Sequence, residues 1–219
     1  MIELLRSDGW AILAGLMTTI RIVGIGFLLG AMGGVLIGLL RDGGPVVVRL
    51  LAGVFVEVIR NTPFLIQAAL LFALAGVLRL RLPPELIGTV AVALYTAAYM
   101  AEIVRGALKS VPAGQREAAD ALGLRPGMRF RKVVFPQLLP FAVPASANLL
   151  ATVTKESAFL SAVSVAELTY AGQVVIARTF KVFEVWAIIG LLYLLLILAL
   201  FAMADRIERS FRWANPHRP

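Results

Sequence analysis

The chain has 219 residues, of which 60% are hydrophobic and only 16% are charged, so its composition excludes an ordinary soluble domain. Its formal net charge of +8 is not organised into a basic helix interleaved with aromatic residues, which argues against a nucleic-acid partner and favours the basic loops of a membrane protein. Cysteine is absent and the single histidine, His217, lies in a polar tail, so we expect no disulfide and no metal site.

Apolar runs long enough to cross a bilayer recur along the chain. A span needs about 20 apolar residues at 1.5 Å each, and backbone groups in lipid must pair internally, so these runs predict helices. No cleavage site follows the first ten residues, so we expect the first span to be retained. The sequence predicts an all-α integral membrane protein, a single transmembrane domain over residues 1–219, with five spans at about 10–40, 46–78, 86–108, 138–165 and 183–204.

The first span carries glycine at every fourth position. Gly26, Gly30, Gly34 and Gly38 share one helix face, with Gly33 beside them. Such spacing lets a second helix approach closely and predicts a packing seam. Glycine is also common in membrane helices in general, so chance remains the alternative explanation.

Several charged residues fall inside the predicted spans. Each costs a few kcal/mol at the bilayer centre, so such residues usually face the bundle interior or an aqueous cavity. In the second span, Pro63 frees the carbonyl of Ile59 because its ring nitrogen carries no hydrogen, which predicts a break beside a polar patch. The cluster at residues 155–157 is open to two interpretations: a structural Lys–Glu pairing, or a polar cavity for a charged or zwitterionic solute. They include Arg21, Glu57, Arg60, Glu102, Lys155 and Glu156.

A polar loop at about residues 110–137 separates the third and fourth spans. Pro112 predicts the start of a short helix over 113–122, and Gly123 predicts a left-handed stop. Pro126 predicts a second short helix that ends near residue 135, before Pro136. With the N-terminus outside, thirteen basic residues fall on the inner side and five on the outer, so we expect the N-terminus out, the C-terminus in and this loop in the cytoplasm.

The loop resembles a known permease motif. The string EAADALG at 117–123, followed by Phe135-Pro136-Gln137, is similar to the EAA loop of permease subunits in bacterial binding-protein-dependent ABC importers, with Phe135 in place of the usual Leu. The stretches AEIVRGALKSVPAGQREAADALGL (101–124), VEVIRNTPFLIQ (56–67) and SVAELTYAGQ (164–173) are similar to the polar amino acid branch, typified by histidine, arginine, glutamine and glutamate permeases. The resemblance covers about residues 10–205.

The resemblance implies a type I ABC importer permease of the bacterial inner membrane, working with several partners. These are a second permease chain, identical or paralogous, a cytoplasmic ATPase dimer, and an extracytoplasmic protein that delivers a polar amino acid. The chain contains no G-x-x-x-x-G-K-[ST] phosphate loop, so we expect no enzyme and no bound cofactor here, with ATP and Mg²⁺ on the partner ATPase.

The resemblance also assigns residues to two roles. The expected ATPase-coupling contact comprises Glu117, Ala118, Ala119, Asp120, Leu122, Gly123 and Arg125. The expected substrate pathway comprises Glu57, Arg60, Asn61, Thr62, Gln67, Lys155, Glu156 and Ser157. In that pathway Arg60 is expected to hold a carboxylate, with Glu57 or Glu156 pairing an ammonium group. The resembled family often has Asn or Asp where Glu156 stands, so an added acid in this chain favours a cationic amino acid, whereas the adjacent Lys155 opposes that preference.

Two other classes compete with the permease interpretation. An ion- or proton-coupled secondary amino acid transporter would explain the buried charges, but it needs no coupling loop and usually has doubled repeats. A structural membrane scaffold would need no acids and bases at membrane depth.

Overall fold

Helices make up almost all of the described chain. The computed structural model describes residues 2–210, with side chains from residue 6 onward except those of 208 and 210, so His217 lies outside the described residues. No strand occurs within residues 2–210, and the all-α prediction is confirmed. The helices are α1 (Ile2–Gly43), α2 (Val46–Arg60), α3 (Phe64–Val77), α4 (Pro84–Ser110), α5 (Ala113–Ala121), α6 (Pro126–Arg129), α7 (Phe135–Glu156), α8 (Leu168–Thr179) and α9 (Val182–Ser210).

Within residues 2–210, four helical stretches are long and apolar enough to cross a membrane, and a bent pair adds a fifth if it counts as one span. The pair is α2 and α3, whose axes meet at 108°. The predicted second span over 46–78 is therefore two helices joined at a sharp bend, and the predicted break at Pro63 is confirmed. The four are Arg6–Gly43, Pro84–Ser110, Pro126–Val163 and Val182–Ile207.

The fourth span begins much earlier than predicted. Residues 126–163 form one continuous helical stretch, in which a π-helical turn (Phe130–Val134) joins α6 to α7 and a 3-10 segment (Ser157–Val163) ends the run. The prediction that a loop helix stops before Pro136 is wrong. At the end of the π turn the Phe135 amide donates to the Phe130 carbonyl, five residues back. This wider turn accommodates Pro136, whose ring would clash with the preceding turn of a regular α-helix.

The glycine seam of α1 packs directly against α4. A Cβ built on Gly30 would lie 2.4 Å from the Ala93 carbonyl oxygen, and one on Gly34 would lie 2.6 Å from that of Ala97. Gly26 and Gly38 meet α4 in the same way, while Gly33 has only a distant neighbour. The predicted seam is therefore confirmed, and it sets α1 and α4 side by side in the same direction.

A second core joins α8 and α9 to the first half of α1. Ile12, Leu168, Val175 and Val185 are buried there together, and α8 begins at the N-cap Glu167. The sequence of this region carries a family motif but did not predict a helix, because the segment is too short to cross a membrane. The largest cluster packs α4 among α1, α3 and α7, so α1 contributes both to it and to the α8–α9 core.

Candidate functional site

The break between α2 and α3 is built around Gln67. Its Nε2 donates to the Ile59 carbonyl at 2.7 Å and to the Thr62 carbonyl at 2.9 Å. The Ile59 carbonyl is the group that Pro63 deprives of its helical donor, so one side-chain amide stabilises the bend. Gln67 was predicted to line the substrate pathway; the structure shows that its amide nitrogen is already engaged by the backbone.

The other polar residues of the break are exposed. The Asn61 amide donates to the Glu57 carboxylate at 3.0 Å, and the Thr62 hydroxyl donates to the Val58 carbonyl at 2.9 Å. Glu57, Asn61 and Thr62 all lie at the surface of the chain. Three predicted pathway residues thus form one accessible polar edge at the end of α2.

Arg60 lies apart from this edge, in a charged cluster centred on Glu102. The Arg105 guanidinium donates to the Glu102 carboxylate at 2.6 Å, Arg41 pairs with its other oxygen, and Arg60 lies 3.7 Å away. Arg60 also lies over the Tyr99 ring, 5.6 Å from its centroid. The side chains of Glu102 and Arg41 are each 15% exposed, so three basic groups from three helices share one largely buried carboxylate.

Glu102 and its basic partners were only partly foreseen. The sequence identified Glu102 as a charge at membrane depth, but it gave no sign that Arg41, 61 residues earlier, would reach it. In the sequence Glu57 and Arg60 are three residues apart, on neighbouring helix positions. The structure instead directs Arg60 toward α4 and leaves Glu57 with Asn61.

The residues at the end of α7 differ in exposure. Lys155 is exposed and Glu156 is half-buried, whereas Ser157 is fully buried and its hydroxyl donates to the Thr154 carbonyl at 2.8 Å. Among residues 2–210 no hydrogen bond or ion pair joins Lys155 or Glu156 to the polar edge of α2. Two tyrosines of α4, Tyr95 and Tyr99, stack with centroids 4.5 Å apart.

The polar loop is a rigid unit with one exposed helix. Asp120 receives two hydrogen bonds from Arg129, at 2.5 and 2.6 Å, and the Arg116 guanidinium donates to the Leu108 carbonyl at the end of α4. Gly123 has φ +69° and ends α5 as predicted, with the Leu124 amide donating to the Ala119 carbonyl. These contacts fix α5 to the helices on either side of it.

The predicted coupling residues are exposed except for Ala119. Glu117, Ala118 and Arg125 are exposed, and Leu122 presents 79% of its surface. Ala119 is buried, and the Asp120 carboxylate is taken up by Arg129 within the loop. Pro112 is the N-cap of α5, and the helix begins at Ala113 as predicted.

A buried acid joins α8 to α9 and was not predicted. Glu167 accepts from the Tyr193 hydroxyl and the Tyr170 amide, each at 2.8 Å, and from the Thr169 amide at 2.9 Å. Burial raises the pKa of the Glu167 carboxyl, and these hydrogen bonds oppose that shift. The Leu168 amide donates to the Thr19 hydroxyl of α1. The acid within the 164–173 motif was the available signal, but its Tyr193 partner lies 26 residues away in sequence. Within residues 2–210 no group of three metal-ligating side chains is found.

Comparisons with known proteins agree with this geometry. The chain is 36% identical over 191 residues to the glutamine transport system permease protein GlnP of Escherichia coli K12, covering 84% of this chain and 87% of that protein. It is 31% identical over 226 residues to the nopaline transport system permease protein NocM of Agrobacterium fabrum, covering 99% and 92%.

Solved structures give the same assignment. The crystal structure of an amino acid ABC transporter with histidines superposes with a TM-score of 0.85 at 30% identity, covering 91% of this chain and 94% of that one. An inward-facing structure of the MetNI methionine ABC transporter gives 0.71 at 26% identity, covering 96% and 97%. A family model described as "Binding-protein-dependent transport system inner membrane component" matches residues 30–213. Since that match spans most of the sequence, the chain belongs to the family of binding-protein-dependent transport system inner membrane components.

Proposed function

We propose that this chain is the membrane subunit of an importer for polar amino acids, that it forms the substrate pathway, and that a separate ATPase drives it. The observation that carries the proposal is α5, an exposed helix fixed at one end to α4 and at the other to the long helix of the fourth span. A helix held in this way transmits a push from a bound partner to two membrane helices. The relatives with named substrates, for glutamine and nopaline, supply the substrate class.

In this proposal Glu117, Ala118, Leu122 and Arg125 form the surface that contacts the ATPase. Leu122 supplies an apolar anchor because most of its side chain is exposed on an otherwise polar loop. Asp120 and Ala119 do not contact the ATPase themselves. The Asp120–Arg129 pair and the burial of Ala119 stabilise the shape of the contact surface. The loop then lies in the cytoplasm, with the N-terminus of the chain on the outside.

The substrate pathway runs along the polar edge of α2 and the end of α7. The exposed carboxylate of Glu57 and the half-buried one of Glu156 are suited to an ammonium group. Arg60, about a third exposed, can turn from Glu102 toward a substrate carboxylate, because Arg41 and Arg105 remain on that acid. Two acids and one available guanidinium along this pathway favour a cationic amino acid.

The remaining partners follow from the proposal that this chain forms the pathway while a separate subunit hydrolyses ATP. A second permease chain, identical or paralogous, completes the pathway beside the single domain formed by residues 1–219. An extracytoplasmic binding protein delivers the amino acid, and a cytoplasmic ATPase dimer binds ATP and Mg²⁺, so this chain itself is not an enzyme.

The test is a pair of variants in the assembled transporter. Gly123→Val places a β-branched residue at φ +69°, a left-handed conformation that costs about 1–2 kcal/mol for a non-glycine residue. We expect normal membrane insertion, with ATP hydrolysis no longer linked to uptake. Gly127→Val is the matched control, because Gly127 lies in α6 with open space around it.

A cross-link locates the contact. The chain has no cysteine, so Leu122→Cys introduces a single thiol, which we expect to cross-link to the ATPase subunit. Leu28→Cys, on the exposed apolar face of α1, is expected not to. Equal uptake by both glycine variants, or equal cross-linking at both cysteines, contradicts the coupling role of α5.

The pathway has its own test. Glu156→Gln is expected to lower uptake of cationic amino acids more than that of neutral ones, measured as relative initial rates, while Glu184→Gln on the exposed start of α9 changes neither. An unaltered preference in the Glu156 variant removes that residue from the pathway.

A further inference from the structure

A cavity of about 380 Å³ lies between α1 and the start of α4, away from both the polar edge of α2 and the loop. Its size is in the range of small-molecule sites. Opposite charges line it: the Arg21 guanidinium from α1 and the Glu85 carboxylate from α4. Neither takes part in an ion pair with any described residue, so the two groups are separated by more than a salt bridge allows.

Two hydroxyl groups complete the polar lining. Thr18 Oγ1 donates its hydrogen to the Ala14 carbonyl and Thr89 Oγ1 donates to the Glu85 carbonyl. Each oxygen therefore keeps lone pairs with which to accept a hydrogen bond. The cavity thus offers a strong donor in Arg21 and a set of acceptors around Glu85.

The spacing of charges places the cavity at the level of lipid headgroups. Arg21 is the one charged residue of the sequence between positions 9 and 40, and Arg41 follows it by 20 residues, about 30 Å along a helix. Glu85 and Arg105 have the same separation on α4. That distance is the thickness of the hydrocarbon core. Arg21 and Glu85 therefore lie at one headgroup level, and the Glu102 cluster lies at the opposite one.

An exposed apolar track continues from the cavity toward the other level. Ile25, which lines the cavity, is followed on the same face of α1 by Leu28 and Leu29, with exposed fractions of 52%, 62% and 55%. On α4, Leu86 lines the cavity and Val90 follows it, 46% and 42% exposed. The acyl chains of a lipid can pack against this track, whereas a soluble zwitterion has no apolar chains to place there.

We propose that this cavity binds a zwitterionic phospholipid of the phosphatidylethanolamine type. The phosphate accepts hydrogen bonds from Arg21, and the ammonium donates to Glu85 and to the threonine hydroxyls. The acyl chains lie along the apolar track. Phosphatidylcholine has no ammonium hydrogen to donate, and phosphatidylglycerol brings an anion to Glu85 without a compensating cation. The site is independent of what the chain transports, and its occupant would bridge α1 and α4 where no intramolecular ion pair does.

Native mass spectrometry of the full-length chain in mild detergent, with equal amounts of the three lipids, tests the assignment. We expect phosphatidylethanolamine to be retained about tenfold more than either competitor, a ratio equivalent to 1.4 kcal/mol. Arg21→Gln should lower retention of phosphatidylethanolamine and phosphatidylglycerol alike. Glu85→Gln should lower only the former and leave or raise the latter. Arg81→Gln, which removes an exposed charge just before α4, is the matched control and should change neither.

Three results overturn the proposal. Equal retention of the three lipids by the unaltered chain does so without any variant, so the test survives if a variant fails to fold. Displacement of the lipid by millimolar glutamine, arginine or histidine assigns the cavity to a soluble zwitterion. Loss of chain–chain association in Arg21→Gln, with lipid retention unchanged, assigns Arg21 to a protein partner.

Discussion

Replacing Gly30 with alanine perturbs the α1–α4 seam at its tightest point. The new Cβ would lie 2.4 Å from the Ala93 carbonyl oxygen and 2.6 Å from the Thr96 Cβ. Carbon atoms in ordinary contact are about 3.5–4.0 Å apart, so the two helices must separate by about 1 Å. Because one obstacle is backbone, no rotamer change relieves the clash.

The cost of that separation can be estimated. A gap of about 0.5–1 Å forfeits a quarter to a half of each van der Waals contact, and overpacked cores lose about 1–3 kcal/mol. The higher helix propensity of alanine offsets up to about 1 kcal/mol of this loss in the free energy of unfolding. We therefore expect Gly30→Ala to lower the free energy of unfolding by about 1–2 kcal/mol.

Gly24→Ala is the matched control on the same helix. Nothing lies within 4 Å of a Cβ built there, so the same chemical change should be neutral or slightly stabilising. Unfolding by SDS in mixed micelles, followed by tryptophan fluorescence, measures both variants. Equal unfolding midpoints for the two would refute the seam.

Three further changes test the fold and the charged sites. Gln67→Leu removes the donor to the Ile59 carbonyl, so we expect a loss of about 1–3 kcal/mol in the same unfolding assay. Glu102→Gln leaves its basic neighbours without a counter-charge, for an expected loss of about 3 kcal/mol. Burial raises the pKa of Glu167, so the folded state binds its proton more tightly than the unfolded state. The corresponding stability is full at low pH and is lost as the pH rises through the raised pKa, and Glu167→Gln should flatten this dependence.

Controls come from exposed residues of the same types. Gln173→Leu and Glu184→Gln change exposed side chains and should leave the unfolding midpoint unchanged. A Gln67 variant as stable as the Gln173 variant would mean that the bend does not depend on the amide. A Glu102 variant matching Glu184→Gln would show that the basic cluster needs no carboxylate, and an unchanged pH profile in the Glu167 variant would assign the titration elsewhere.

The features that the sequence predicted are those that a single residue imposes on its own backbone. Pro63 has no amide hydrogen, so the freed Ile59 carbonyl and the break could be foreseen. Gly123 permits a left-handed stop, and the repeated glycines around Gly30 expose backbone for a close approach. Each prediction needs only local chemistry, and each is confirmed.

The features that it missed depend on contacts between distant segments. The Glu102 cluster joins α1, α2 and α4, and the hydrogen bond from Leu168 to Thr19 spans 149 residues. Pro136 was expected to end a helix, because the adjustment of the preceding π turn could not be read from composition. Asp120 was expected to face a partner, and its pairing with Arg129 became visible only once α5 and α6 were placed.

The most direct test of the central proposal is amino acid uptake into proteoliposomes that contain this chain assembled with its ATPase and binding protein. Ionophores collapse the proton and ion gradients, and initial rates are measured with and without ATP on the side of the loop. We predict that uptake requires ATP and is insensitive to the ionophores. Uptake that persists without ATP and stops when the gradients collapse would instead identify a secondary transporter and contradict the account.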